Sequence, residues 1–320
     1  MLKALRTIHT IKPATTNMAA RLGFTVFVRG SLRDQVDALQ DLCGRLGAGL
    51  GGGSPRFFRS RGNPAWAPLS GSRSGSGAQL RLAELAGASP GGWLLELATH
   101  GGCESDATGD WWQFADLPAV LGIERASYVR VLLASGTRAA VLTALSEWSL
   151  DHLRLWWGTG GHVFHHTHGS PVFAHRRMAA LAKRHWAVQI QDMTALQWDA
   201  LRGMPGVNWL TLVGDAFALA GGLTTDAVAS EAAAHIGRGV FYRRGVHGIA
   251  LAAGSGPSTG DINVGDDLSH YARVAELLDP LLLDAHTPLS GPFARPEVLT
   301  AWLKRFGNAQ NWLECDIATR

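Results

Sequence analysis

The stretch Gly23-Phe24-Thr25-Val26-Phe27-Val28-Arg29 is rich in β-branched and aromatic residues, a composition typical of a buried strand. Ser31 follows where a helix N-cap is expected, and glycines from Gly44 onward end the helical pattern. Between them apolar residues recur at helical spacing, at Leu32, Val36, Leu39, Leu42 and Leu46. A strand followed by a helix with one apolar face predicts that the helix packs against a sheet.

Further strands and helices are predicted along the rest of the chain. Strands are predicted at 93–99, 128–134, 240–243 and 248–252. Helices are predicted at 80–86, 137–148, 174–185, 267–278 and 295–306, and the apolar stretch 206–221 is expected to turn helical after Asp215. Because strands and helices do not alternate strictly, we expect an α+β fold with mixed or antiparallel sheets and packed helices.

The domain organisation follows from length and composition. With 320 residues, 46% of them apolar, the chain can bury a large core, and we expect a single domain over 23–320. Residues 23–150 and 151–310 each contain strand, helix and further strands, which makes them candidate halves of a weak duplication. Residues 1–22 are expected to be a flexible extension. Their basic, acid-free composition is also typical of an organelle transit peptide.

Charge and cysteine content narrow the classes of function. The net charge of +3 and the scattered arginines argue against a nucleic-acid partner. Three distant cysteines, Cys43, Cys103 and Cys315, support neither a disulfide framework nor a metal knuckle. No apolar run approaches the roughly 18 residues of a spanning helix, and no signal peptide is recognisable. We therefore expect a cytoplasmic protein with no membrane partner.

A histidine-rich segment is the strongest metal candidate, with four histidines at His162, His165, His166 and His168. Three of them would share a face on either a strand or a helix, and clustered imidazoles bind zinc. However, no HExxH motif occurs, and the nearest downstream acid is Asp192. We favour surface-loop histidines without a metal, and keep a metal-dependent enzyme built on these four histidines as the alternative.

The phosphate-loop and calcium-loop motifs are incomplete in this sequence. The Gly-rich loop at 47–77, expected to contain a short strand, has no GKS or GKT after its glycines and no GxGxxG that opens a helix. No cysteine lies in a recognisable reactive context, and neither catalytic residues nor a cofactor are expected. The segment from Asp261 resembles the start of a calcium loop, but its position 12 is Ala272 instead of Glu. We expect Asp266 or Asp267 to be the N-cap of the next helix.

An acidic, aromatic segment lies between two predicted strands and is expected to be a loop. It contains Glu104, Asp106, Asp110, Trp111 and Trp112. Adjacent tryptophans anchor cores more often than they form flat platforms for ligands. Acids beside aromatic anchors are nevertheless typical of binding hot spots, and we predict these five residues as a partner-binding patch.

Two segments in the second half carry a family resemblance. The first is Gly206-Val207-Asn208-Trp209-Leu210-Thr211-Leu212-Val213-Gly214-Asp215, followed by Gly221-Gly222. The second runs from Gly248 through Pro257 to Gly260-Asp261-Ile262-Asn263-Val264-Gly265-Asp266-Asp267. Together they resemble the signature of the TsiV family, the type VI secretion immunity proteins for VRR-Nuc effectors. The resemblance extends over residues 23–306, and this chain departs from it in the histidine-rich segment and in the loop at 47–77.

The resemblance implies a cytoplasmic immunity protein that binds and neutralises a cognate antibacterial toxin, a nuclease, and catalyses no reaction. A nuclease cleft that holds a phosphate backbone is basic, so its inhibitor is expected to present acidic residues there. Turn propensity, apolar side chains and positive-φ glycines give the motif residues structural roles. These residues are Asn208, Trp209, Leu210, Gly260, Asp261, Asn263, Gly265 and Asp266.

Overall fold

The computed structural model describes residues 17–48, 50, 53–69, 76–88, 91–101, 108–167 and 171–318. The strands are β1 (Asn17–Arg29), β2 (Phe57–Ser60), β3 (Asn63–Pro68), β4 (Trp93–Ala98), β5 (Trp111–Asp116), β6 (Ala126–Leu132), β7 (Trp157–Thr167), β8 (Gln189–Ile190), β9 (Leu210–Gly214), β10 (Val240–Gly245) and β11 (Gly248–Ala253). The helices are α1 (Val36–Gly47), α2 (Ser76–Ala88), α3 (Ala140–His152), α4 (Pro171–Ala182), α5 (Met193–Asp199), α6 (Asp215–Ala220), α7 (Thr225–Ala233), α8 (Ser269–Leu277), α9 (Pro296–Leu303) and α10 (Ala309–Glu314).

One sheet runs through the described part of the chain, in the order β10-β11-β9-β7-β1-β6-β5-β4-β2-β3. Neighbours along this path are antiparallel, and β8 adds a short parallel pairing to β7. Helices pack on this mixed sheet, and the α+β fold class is confirmed.

The long strand β1 is the centre of the sheet. It pairs with β6 on one side and with β7 on the other, so both candidate halves belong to the same sheet. The strand was expected to begin at Gly23 but begins at Asn17, and residues 17–22 of the expected flexible extension lie in it. The first residues of β1 pair with the histidine-rich end of β7. This pairing supplies backbone hydrogen bonds that the local sequence pattern does not predict.

The predicted strand–helix unit forms, but Ser31 is the N-cap of a short 3-10 turn, whereas the N-cap of α1 is Gln35, which makes no side-chain cap bond. Ser31 Oγ accepts a hydrogen bond from the Arg33 N–H at 3.1 Å and donates one to Asp116 Oδ1 at 2.8 Å. A short 3-10 turn precedes α1, whose apolar side chains are buried in the core. Pro296 is the first residue of α9, as its position predicts.

Parts of two predicted loops are strands instead. Trp111 and Trp112 begin β5, and residues 162–167 of the histidine-rich segment form the second half of β7. In addition, the loop at 47–77 contains the hairpin β2–β3 where one strand was expected. Within the described residues no helix is long and apolar enough to cross a membrane.

Candidate functional site

The two motif segments lie side by side in the sheet. The first contains β9 and the second contains β11, which pair in the register Gly214 with Gly248. The Trp209 indole Nε1–H donates to the Gly254 carbonyl oxygen at 3.1 Å, and the Ala253 N–H donates to the Trp209 carbonyl oxygen at 2.8 Å. Both Trp209 and Leu210 are buried, so their predicted place in the core is confirmed.

Asn208 connects the first motif to β7. Its side-chain oxygen accepts from the Trp209 N–H at 2.8 Å, and its amide donates to the His162 carbonyl oxygen at 3.2 Å. A Cβ at Gly161 would lie 2.1 Å from this side-chain oxygen, and Gly161 has a φ of 152°. The Asn208 side chain can therefore pack against β7 only because residue 161 is a glycine.

The second motif ends in a loop whose acidic side chains accept hydrogen bonds from other residues of the chain. Asp261 accepts two hydrogen bonds from Arg184, at 2.8 and 2.6 Å, and this pairing lowers the pKa of the Asp261 carboxyl group. Asp266 Oδ2 accepts from the Ser258 hydroxyl at 2.8 Å and from the Asp261 N–H at 2.9 Å. The carboxylates of Asp261 and Asp266 thus hold the loop together.

The loop glycines have the positive φ angles expected of them, 64° at Gly260 and 74° at Gly265. The observed N-cap of α8 differs from the prediction, which was Asp266 or Asp267. Leu268 is the N-cap residue of α8 and makes no side-chain cap bond, while Asp267 Oδ1 accepts from the Ser269 N–H at 2.8 Å. Asp266 turns back into the loop and is not a helix cap.

Buried Arg305 extends this framework to α9. Its guanidinium Nε donates to the Trp186 carbonyl oxygen at 2.7 Å, and Nη1 donates to the Trp302 carbonyl oxygen at 2.9 Å. Burial lowers the pKa of Arg305 to about 9. Nearby, the ring of Tyr271 stacks on Phe306. The motif residues are therefore parts of one packed framework that joins β7, β9, β11, α8 and α9.

The histidines do not form a common cluster within the described residues. Strand alternation places His162 and His165 on opposite faces of β7, where His165 packs near Trp111 at a ring-centroid distance of 5.8 Å. The side chain of His166 and all of His168 lie outside the described residues. In the part that the structure does describe, no group of three or more His, Cys, Asp or Glu side chains is placed to hold a metal.

His162 is also not a surface-loop residue. Burial, with a smaller contribution from His185, lowers the pKa of His162 to about 4. The ring Nδ1 atoms of both histidines are buried without a hydrogen-bond partner. The expectation of exposed loop histidines is wrong here because β7 pairs along its whole length with β1.

The predicted partner-binding patch is mostly below the surface where it is described. Trp111 and Trp112 are 4% and 0% exposed: Trp112 lies in the main hydrophobic core, and Trp111 packs in a smaller buried cluster with Ala98, Leu132 and Val163. Asp110 Oδ1 accepts from the Ala134 N–H at 2.6 Å, and burial raises the pKa of this carboxyl group. Glu104 and Asp106 lie outside the described residues, and a role of these two acids in partner binding stays a prediction.

A serine–histidine–aspartate arrangement that sequence motifs did not indicate occurs near α4. The Ser290 N–H donates to His175 Nδ1 at 3.2 Å, the Ser290 hydroxyl lies 2.6 Å from the same nitrogen, and Asp192 Oδ2 lies 3.6 Å from Nε2. His175 is buried, and a Cβ at Gly291 would lie 3.1 Å from the backbone of α4. The three side chains fasten two loop segments to α4.

The fold and this framework define an α+β protein whose recognisable motif residues serve structure. The chain belongs to the TsiV family, described as type VI immunity for VRR-NUC, whose family model matches residues 137–306. Its fold is similar to that of the Pseudomonas aeruginosa T6SS protein PA0821, with a TM-score of 0.68 and 16% sequence identity over 93% of this chain and 87% of that chain. No curated protein sequence matches the chain.

Proposed function

We propose that this chain binds and neutralises its cognate effector, a VRR-NUC nuclease, in the cytoplasm of the cell that produces it. The observation that carries the proposal is the family match over 137–306, which contains both motif segments and the residues that hold them together. An immunity protein of this kind acts by occupying a surface of its effector, and it needs no reaction of its own.

The framework supports such a role through pre-organisation. The buried side chains of Asn208 and Arg305 and the exposed Arg184–Asp261 ion pair fix strands and loops before any partner arrives. A binding surface carried on fixed elements loses little conformational entropy when the complex forms, which favours high affinity. In this proposal the inhibitory contacts come from exposed side chains on these fixed elements.

Protection of living cells tests the proposal. Bacteria that express a VRR-NUC effector from an inducible promoter are compared with and without this chain, and a catalytically inactive effector serves as the control for general toxicity. We expect survival to be restored by this chain. Equal killing in both strains, with the chain present as folded protein, would contradict the proposed function.

The alternative metal-dependent enzyme is tested separately. Metal analysis of untagged protein is expected to find no stoichiometric zinc, because no group of three or more His, Cys, Asp or Glu side chains in the described part of the chain is placed to hold a metal. One zinc ion per chain, lost when His165 and His166 are replaced, would favour the enzyme instead.

A further inference from the structure

The two edges of the sheet differ in how they are protected against pairing. The edge strand β3 contains Pro64 and Pro68, and its register with β2 is broken between Phe58 and Ser60. Proline and bulges are devices that stop an edge from accepting another strand. The opposite edge strand, β10, has no proline, and its register with β11 is continuous.

The backbone groups on the outer side of β10 can be assigned from its neighbours. The Ala253 N–H donates to Trp209 on the β9 side, whereas the Gly254 N–H donates to Gly239 on the β10 side. Hydrogen-bonded directions alternate along an antiparallel strand, so the register leaves the N–H and C=O groups of Tyr242 and Arg244 pointing away from β11. Among the described residues no strand lies beyond β10.

The same edge exposes apolar side chains. Phe241 and Tyr242 are 44% and 38% exposed, and they lie on opposite faces of the edge strand. Val246, at the tip of the β10–β11 hairpin, and Leu219 on α6 are 69% and 71% exposed. Tyrosine and phenylalanine on a partner-accessible edge are the residue types enriched at interfaces.

The hairpin that carries this edge is held firmly. The His247 N–H donates to the Leu150 carbonyl oxygen at 2.9 Å, and the Asp215 N–H donates to the His247 carbonyl oxygen at 3.2 Å. A Cβ at Gly245 would lie 2.5 Å from Leu150, so the hairpin packs closely on the end of α3. The edge is therefore a pre-organised template for an added strand.

Negative charge surrounds the hairpin end of β10. Arg243 pairs with Asp151 at 3.1 Å and with Glu147 at 3.6 Å. Arg244 pairs with Asp215 at 3.2 Å and with Asp226 at 3.1 Å. Two guanidinium groups thus face four carboxylates at the hairpin end, an excess of two negative charges there, while Arg238 and Arg273 lie at the opposite end of β10.

We propose that the outer edge of β10 accepts an extended, basic segment of the effector nuclease as an added strand. This proposal rests on the proposed function. Backbone bonds to Tyr242 and Arg244 would give the pairing, and the excess carboxylates would attract a partner whose nucleic-acid-binding surface is basic. A second copy of this chain fits less well, because it would bring the same carboxylates together on both sides of the new strand pair.

The first test removes one outward N–H group. Tyr242→Pro deletes the backbone donor at the edge, and Tyr242→Thr removes the aromatic ring but keeps the donor. Titration of a catalytically inactive VRR-NUC effector by calorimetry is expected to show binding weakened by roughly 30-fold or more for the proline variant. The threonine variant is expected to bind more tightly than the proline variant, since it retains the strand pairing.

The second test reverses charge with a matched control. Glu147 next to β10 and Glu84 on α2 are each 48% exposed, and each pairs with one arginine. Glu147→Lys is expected to slow association with the effector several-fold at low salt, while Glu84→Lys leaves it unchanged. Circular dichroism of all four variants checks that they are folded.

The outcomes separate this proposal from the proposed function. Absence of binding by the wild-type chain would overturn both. Suppose that the wild type binds tightly, folded Tyr242→Pro keeps its affinity and Glu147→Lys keeps its association rate. This result would overturn the proposed strand addition at β10 and leave the proposed function intact. A concentration-dependent dimer of the chain by light scattering, abolished by Tyr242→Pro, would assign the edge to a second copy and would also overturn it.

Discussion

At the scale of single residues, the motif positions are explained by packing. Trp209, Leu210 and the glycines at 260 and 265 have the burial and φ angles that their types predict. Trp111 and Trp112 follow the general tendency of tryptophan to anchor cores. The edge residues Phe241 and Tyr242 carried no sequence signal, because exposure at a sheet edge depends on where distant strands pair.

Trp209 is expected to be a stability anchor. Trp209→Ala removes a buried indole and its bond to the Gly254 carbonyl oxygen, and should lower the free energy of unfolding by roughly 3–5 kcal/mol. Phe173→Ala serves as the control, since Phe173 is 66% exposed. Urea denaturation of both variants is monitored by far-ultraviolet circular dichroism, which reports on backbone structure. Equal unfolding midpoints for the two variants would refute the anchor role.

His162 makes stability depend on pH. Its pKa is lowered from 6.5 to about 4, so the folded protein binds fewer protons than the unfolded chain between these values. The contribution of His162 to the free energy of unfolding is therefore fully present above pH 6.5. It is lost as the pH falls toward 4, and the loss is on the order of 2–3 kcal/mol.

His162→Leu tests this dependence, since leucine keeps the burial and removes the titrating ring. The variant should show a flatter plot of unfolding free energy against pH between 6.5 and 4. Part of the slope should persist, because burial also lowers the pKa of His185. A slope identical to that of the wild type would exclude His162 as its source.

At the scale of elements, strands with a strong apolar pattern were predictable, and strands held by pairing were not. β4, β6 and β11 follow runs of apolar residues that predicted them, and β1 was found from its second half. β7 was missed because Gly158, Gly160 and Gly161 lower strand propensity. Those glycines are required by close neighbours: a Cβ at Gly158 would lie 2.8 Å from the Thr25 carbonyl oxygen.

The contact between β7 and the first motif can be tested by coupling. Gly161→Ala should destabilise the protein by roughly 1–3 kcal/mol, because the new methyl group overlaps the Asn208 side chain. Gly161→Ala combined with Asn208→Ala should cost less than the sum of the two single changes, since the overlap is then removed. Gly237→Ala is the control, as a Cβ there meets nothing within 4 Å. Strict additivity in thermal unfolding would argue against the contact.

At the scale of the whole molecule, strands from both candidate halves, 23–150 and 151–310, belong to one continuous sheet. The fold class was predictable from the mixture of strands and helices, but the strand order was not. Pairing of β1 with β7 joins residues far apart in sequence, and no local pattern records such a partner. The same limit applies to the proposed surface at β10, which exists because the sheet ends there.

The most direct test of the account is inhibition of a purified VRR-NUC effector by this chain. DNA cleavage by the effector is measured while the wild-type protein is added in increasing amounts. The account predicts a stable complex and loss of cleavage once the chain equals the effector in concentration, with no dependence on incubation time. Undiminished cleavage at a large excess of folded chain would contradict it.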